Sequence, residues 1–298
     1  MTITAYKRLF CLLPALCVFC NAAFLYALGK GDGGDTGGNK ALTVYGLKGP
    51  TGVGIIRLFE SPPKINGFDV KIEALASDDL MAARFISGEA KIGMLPVNRA
   101  AKIAASGKDI RVVAVTGEGM LSLLSSDPSV RGIGDLKGKT VEVAAQGATP
   151  EYVFRRILMR RGLNPDRDVT MSFSLAYPEI AQSLIAGRVS IGLIPEPFVT
   201  MARMGRPDLV VAADIQEEWM RAEGGGNYPM TLLVVDGEFA AAYPQAVNAI
   251  FDAVKDSIAW VSAHPAEAGI LVEKHGLGFR APVVAAAVPK SNYACIPA

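Results

Sequence analysis

Histidine and cysteine are scarce in this sequence, and their scarcity closes off several chemistries. The chain of 298 residues holds two histidines, His264 and His275, and four cysteines, of which Cys11, Cys17 and Cys20 fall near the N-terminus. Both histidines lie in a helical C-terminal stretch, away from the strand-end loops where a site is expected, so a Ser-His-Asp or Cys-His device there lacks its base. No HExxH, no pair of CxxC motifs and no His/Cys cluster occurs, which leaves zinc without a ligand set. The phosphate-binding pattern GxxxxGK[ST] is missing, and "GVG" and "GLG" are too short to define a nucleotide fold. No cofactor and no metal are expected. Charge of one sign is lacking as well: 30 basic against 29 acidic residues leave a net charge of +1. With no basic block beyond Arg160-Arg161, nucleic acid is excluded as a partner.

What is abundant is apolar sequence, half of all residues. Residues 1–29 form a distinct segment in which Lys7 and Arg8 precede an uncharged run from Leu9 to Leu28. This reads as a secretion signal cleaved near Gly29, after the small residue Ala27, with an uncleaved signal anchor as the alternative. The cysteines within it follow Phe10, Leu16 and Phe19, bulky residues that argue against lipid attachment. Residues 30–40, "KGDGGDTGGNK", read as a flexible tether. Cys295 is then alone in the mature chain, so no disulfide can form within it.

From Ala41 onward, short apolar strands alternate with amphipathic helices, the signature of α/β structure. "ALTVYGL", "DVKIEAL", "KIGMLP" and "IRVVAVTG" are strands; "VGIIRLFES", "SDDLMAARFISG" and "VNRAAKIAASG" are the helices between them. The cycle then restarts. "RFISGEAKIGMLP" lies over "SLIAGRVSIGLIP" at an offset of 99 residues, and "GPTG" lies over "GATP" at an offset of 98. Such a long repeat predicts two similar lobes, each a mainly parallel sheet flanked by helices. The helical remainder from Tyr243, with Ile250, Val254, Ile258 and Val261 on one face, is too small for its own core and returns to cover the first lobe. Lobe 1 is therefore expected to comprise 41–118 and 231–298, and lobe 2 to comprise 119–230. The chain crosses twice, near Gly117, Glu118 and Met120 and near Tyr228, Pro229 and Met230, which predicts a two-strand hinge.

Parallel sheets bind ligands beyond the carboxyl ends of their strands. The repeated motifs sit there, so the loops of both lobes are expected to face one cleft. Thr51 in "KGPTG" and Thr149 in "QGATP" would cap their helices while the loops present free backbone N–H groups to an anion or carbonyl. Capping alone is the simpler reading of each threonine; ligand contact gains from their occurring as a matched pair. Asn98 is either a ligand contact or a cap residue, and Glu196 either a ligand contact or a charge placed near a helix dipole. Asn227 and Tyr228 either reach the ligand or belong to a plain linker.

These motifs resemble a known family. "KGPTG", "DLKGKTV", "QGATPEYVFRRILMRRGLNPDRDV", "IPEPFVT" and "AVPKSNYACIPA" are similar to segments of the solute-binding proteins of ABC importers in the nitrate, sulfonate and taurine class, with a periplasmic-binding-protein fold of the second type. The resemblance runs from about Ala41 to the end. It implies an exported periplasmic monomer that clamps a small polar ligand and delivers it to a membrane permease with its ATPase. Membrane association would come only through the N-terminal segment or the permease. Carried over by position, ligand contacts come from Gly49, Pro50, Thr51, Gly52, Pro96, Asn98, Gln146, Gly147, Thr149 and Glu196. Similar chains run on past the segment matching "SNYACIPA" into a further helix, so ending at Ala298 leaves a truncated chain open. The jaw loops hold Arg99 and Lys48 against Asp78, Asp79, Glu151 and Glu196, a balance that a neutral or zwitterionic ligand, such as a heterocycle bonding with Asn98 and Gln146, fits at least as well as a sulfonate. Two alternatives remain: an enzyme on the same fold, with thiamine-precursor-type chemistry and Glu196 as acid or base, and a membrane-anchored ligand sensor.

Overall fold

The computed structural model describes residues 39–298. The expected signal segment, and the tether apart from its last two residues, lie outside the described residues. The first part of the chain runs β1 (Lys40–Leu47), α1 (Pro50–Val53), α2 (Ile56–Glu60), β2 (Phe68–Leu75), α3 (Asp78–Ser87), β3 (Ile92–Pro96), α4 (Val97–Ala105) and β4 (Ile110–Glu118). The second runs β5 (Leu121–Ser125), β6 (Lys139–Val143), α5 (Thr149–Arg160), β7 (Val169–Ser172), α6 (Tyr177–Ile185), β8 (Ile191–Pro195), α7 (Phe198–Gly205), β9 (Val210–Asp214) and α8 (Ile215–Glu223). The chain then returns through β10 (Pro229–Asp236), α9 (Gly237–Ala242), α10 (Pro244–Ala263), α11 (Pro265–Lys274), α12 (Ala281–Ala287) and β11 (Tyr293–Pro297).

Two sheets result, ordered β11-β4-β10-β3-β1-β2 and β7-β6-β8-β5-β9. β1 pairs in parallel with β2 and β3, and β6 in parallel with β7 and β8. A helix between successive strands dictates this, because a parallel pair needs a long crossover. The sequence did not reveal the reversed strands: in the first sheet β10 lies antiparallel between β3 and β4 and β11 lies antiparallel to β4 at the edge, and in the second β5 lies antiparallel between β8 and β9. β10 and β5 enter their sheets directly after the chain has crossed from the other lobe, so they run against the strands already there.

The repeated "IG" has a packing cause. A Cβ on Gly93 of β3 would lie 2.9 Å from the Tyr45 carbonyl oxygen and 3.3 Å from the Met81 sulfur. One on Gly192 of β8 would lie 2.9 Å from Ile180 and 3.0 Å from Leu184. In both lobes glycine lets the preceding helix press directly onto the central strand. The stretch read as a single helix, "VGIIRLFES", is broken into α1 and α2 around Gly54-Ile55.

Ile250, Val254, Ile258 and Val261 of α10 are all buried, as their spacing predicts. Ile250, Val254 and Ile258 join Val44, Ile92 and Leu233 in the core of the first sheet. The rest of the return segment behaves differently. α12 packs on α7, and Val272, Phe279 and Val284 share one apolar cluster with Val53 and Ile56 and with Phe198 and Ala202. This segment therefore bridges the two lobes as well as covering the first.

At the crossing, β4 and β10 pair as far as Glu118 opposite Pro229. A third strand joins them without crossing: Tyr293 of β11 pairs with Gly117, and the Glu118 N–H donates to the Asn292 carbonyl at 2.9 Å. The Asn292 amide donates to the Gly119 carbonyl and to the Gln216 side chain. Gly119 has no room for a side chain, because a Cβ there would stand 2.4 Å from the buried Tyr228 ring. Gly119→Ala is expected to destabilise the fold by about 1–3 kcal/mol through overpacking. Urea denaturation of the single and double variants should show that Tyr228→Ala absorbs most of that cost.

Candidate ligand-binding cleft

Between the two sheets lies a cavity of about 870 Å³, lined by strand-end loops of both lobes and by the return segment. The size suits a small organic ligand. The first lobe contributes Lys48, Gly49, Pro50, Thr51, Pro96 and Asn98; the second contributes Gln146 and Thr149; Met120, Met230 and Thr231 come from beside the crossing. Seven of the ten expected contacts thus line the cleft. Three do not. Gly52 is buried and presses α1 onto β1, since a Cβ there would lie 2.3 Å from the Leu47 carbonyl oxygen. Gly147 holds a left-handed conformation (φ 73°), and its N–H is taken by the Glu151 carboxylate at 2.7 Å. Glu196 is buried outside the cleft, with Oε2 accepting the Thr200 N–H at 3.0 Å. Tyr228 packs against Trp219 in the core of the second lobe, and Asn227 also lies outside the cleft lining.

Neither threonine caps its helix. Gly49 and Ala148 occupy the cap positions, without side-chain bonds. Two loop N–H groups expected to be free are used internally: Gly49 donates to the Leu277 carbonyl at 3.2 Å and Gly52 to the Gly49 carbonyl at 3.1 Å. What the matched motifs do instead is meet. The Thr149 hydroxyl donates to the Asn98 Oδ1 at 3.4 Å, so the two lobes touch across the lip of the cleft. On the same lip Ala145 takes a left-handed conformation (φ 58°), uncommon for a residue with a side chain and a mark of functional loops.

The charges sort themselves in a way the sequence could not show. Arg99 is bound by Asp78 at 2.9 Å and by Asp79 at 2.9 Å, so its charge is compensated within its own lobe. Glu151 is bound by Arg155 at 2.7 Å. Lys48 and Lys102 also line the cleft, and neither has an ion-pair partner among the described residues. The uncompensated charge of the first-lobe jaw is therefore positive and exposed, on Lys48 and Lys102, with Glu179 on the second-lobe side. The opposite wall is aromatic. Tyr177 stacks on Phe198 with centroids 5.9 Å apart, and Phe198 meets Phe279 at 4.9 Å. Burial on this wall pushes the Tyr177 phenol well above its ordinary value, so it remains a neutral hydroxyl. Among the described residues, no group of three or more His, Cys, Asp or Glu side chains could hold a metal ion.

Two lobes of repeated topology, joined at paired strands and enclosing one cleft, define the two-lobed fold of the periplasmic binding proteins. The chain belongs to the NMT1/THI5-like family, whose model matches residues 64–268. Its fold is similar to that of an ABC transporter protein from Parabacteroides distasonis: TM-score 0.70, 24% identity, 86% of this chain and 87% of that one. It is similar also to the periplasmic aliphatic sulphonate-binding protein SsuA of Escherichia coli: TM-score 0.71, 17% identity, 88% of this chain and 82% of that one. The periplasmic nitrate-binding protein NrtA of Synechocystis PCC 6803 matches with TM-score 0.64 and 12% identity, over 82% of this chain and 68% of that one. No curated protein matches the sequence.

Desolvation raises the Glu196 carboxyl above its ordinary value of 4.5, opposed by its bond from Thr200 and by the Lys290 and Arg203 charges. The folded state thus holds this proton more tightly than the unfolded state. The stability that goes with it is complete below pH 4.5 and is lost as pH rises through the folded value. Glu196→Gln, which keeps an acceptor for Thr200, should therefore melt higher than wild type at pH 7 and equally below pH 4.5. Thermal denaturation across that range checks the sign.

Proposed function

We propose that this chain is an exported solute-binding protein of an ABC importer, which clamps a small ligand between its lobes and presents the closed form to a membrane permease. The observation that carries this reading is a cleft lined from both lobes beside paired crossing strands. Such a geometry converts binding energy into closure: a ligand touching both jaws gains contacts that the open form does not offer, and shifts the population accordingly. The hinge runs through Gly117, Glu118, Tyr228 and Pro229, with lobe 1 comprising 41–118 and 231–298 and lobe 2 comprising 119–230. The protein acts in the periplasm after cleavage near Gly29, as a monomer. No helix of the described residues is long and apolar enough to cross a membrane.

The lining also indicates the kind of ligand. Lys48 and Lys102 face an anionic or acceptor-rich group, Asn98 and Gln146 add directional hydrogen bonds, and the Tyr177–Phe198–Phe279 wall takes a flat apolar part. Structural neighbours named for sulphonate and nitrate binding agree with an anionic group. Glu196, the acid-base candidate of the enzymatic alternative, lines an adjoining cavity and not the cleft itself.

A thermal-shift screen against sulfonates, oxyanions, nucleobases, vitamin precursors and amino acids tests the reading. A cleft ligand at about 100 times its dissociation constant should add about 2.7 kcal/mol of stability and be recovered unchanged. A compound that binds and is converted would replace the importer reading with an enzymatic one. For a true cleft ligand, Asn98→Ala and Gln146→Ala should each cost about 1–3 kcal/mol of binding energy. Calorimetric titration measures this.

A further inference from the structure

A second cavity, of about 330 Å³, lies between β5, α7 and the segment that follows α12, and it shares Met120 with the cleft. Its lining is largely apolar, and the polar groups buried in it are poorly matched. Glu196 and Thr200 line it, each only 4% exposed. The Thr200 hydroxyl has no hydrogen-bond partner, and Glu196 engages only through Oε2 to the Thr200 N–H. A buried hydroxyl without a partner and a buried carboxylate without a contact ion pair both cost stability, the latter eased only through space by Lys290 and Arg203. Near the mouth stand Arg203 and Lys290, two exposed cations with no ion-pair partner among the described residues. The other acid of the lining, Asp214, is exposed and caps α8: its Oδ1 accepts the Gln216 and Glu217 N–H groups.

An anionic acceptor in the interior and free cations at the mouth form a dipolar receptor. We propose that this cavity is a second binding site, distinct from the cleft, for a small zwitterion of the amino-acid type. The ammonium group enters first, donating to the Glu196 carboxylate and the Thr200 hydroxyl. The carboxylate stays at the mouth with Arg203 and Lys290. A lone amine would leave the two cations unused, and a lone carboxylate would be repelled by Glu196. The cavity is at the small end of the range for ligand sites, which favours short side chains. The Glu196 backbone N–H donates to the Met120 carbonyl at 3.1 Å, so the site is tied directly to the crossing.

Methionine methyl groups separate the two sites. Met204 lines only the second cavity, whereas Met201 and Met230 line only the cleft. In the full chain labelled with methyl-¹³C methionine at pH 7, glycine, L-alanine and β-alanine should shift the Met204 resonance saturably and leave Met201 and Met230 in place. Acetate and methylammonium should bind at least tenfold more weakly. Glu196→Gln and Arg203→Met should each weaken the response at least tenfold, with unmoved Met201 and Met230 resonances showing an intact fold. The proposal is overturned if Met204 does not respond, if shifts occur only at the cleft methionines, if either half-ligand binds as well as the zwitterions, or if Glu196→Gln responds like wild type.

Discussion

The antiparallel pairing of β4 with β10 is the constraint on which the rest of the molecule depends. The chain leaves the first lobe after β4 and re-enters it through β10, so holding these strands side by side fixes where each lobe begins and which sheet takes each reversed strand. Gly119 against the Tyr228 ring sets the closeness of the crossings, and Asn292 locks the C-terminal segment beside them. Paired strands bend more readily than they separate, because bending keeps the ladder hydrogen bonds. In the proposed clamp, closure of the cleft is motion about this line, and the apolar bridge from α10 to α12 limits its path.

Much of this architecture was legible because it depends on local periodicity. Alternating strand and helix patterns, one long repeat and the glycines of "KIGMLP" and "SIGLIP" each reflect a packing requirement within a single lobe. The reversed strands and the bridging of α12 were not legible, since both depend on where the chain returns from. The expected jaw loops do reach one cleft, but single residues depart from their positional reading. Glu196 turns toward the N–H of its own α7 instead of the ligand space, and Gly52 and Gly147 serve backbone packing and turn geometry. Lys102 and Phe279 escaped notice because nothing local distinguishes a lysine on an amphipathic helix or a phenylalanine in a glycine-rich turn.

Charge balance shows the same limit. Counting acids and bases in the jaw loops left a neutral or zwitterionic ligand as good a fit as an anion, and pairing changes the count. Asp78 and Asp79 are occupied by Arg99, and Glu151 is occupied by Arg155. Compensation within a lobe offsets these charges, which leaves Glu179 on the second-lobe side of the cleft and the two unpaired lysines on the first. Opposite them, the aromatic wall supplies area without hydrogen-bonding demand, so shape and one polar end share the task of discrimination.

The most direct test of the account is the distance between the lobes with and without a cleft ligand. Spin labels at Ile86 of α3 and Met159 of α5, both exposed, would report it in a Cys295→Ser background by pulsed electron resonance. The account predicts a broad or two-state distance distribution for the free protein that collapses to one shorter population when ligand binds. An identical distribution in both samples, at ligand concentrations that stabilise the fold, would contradict the clamp.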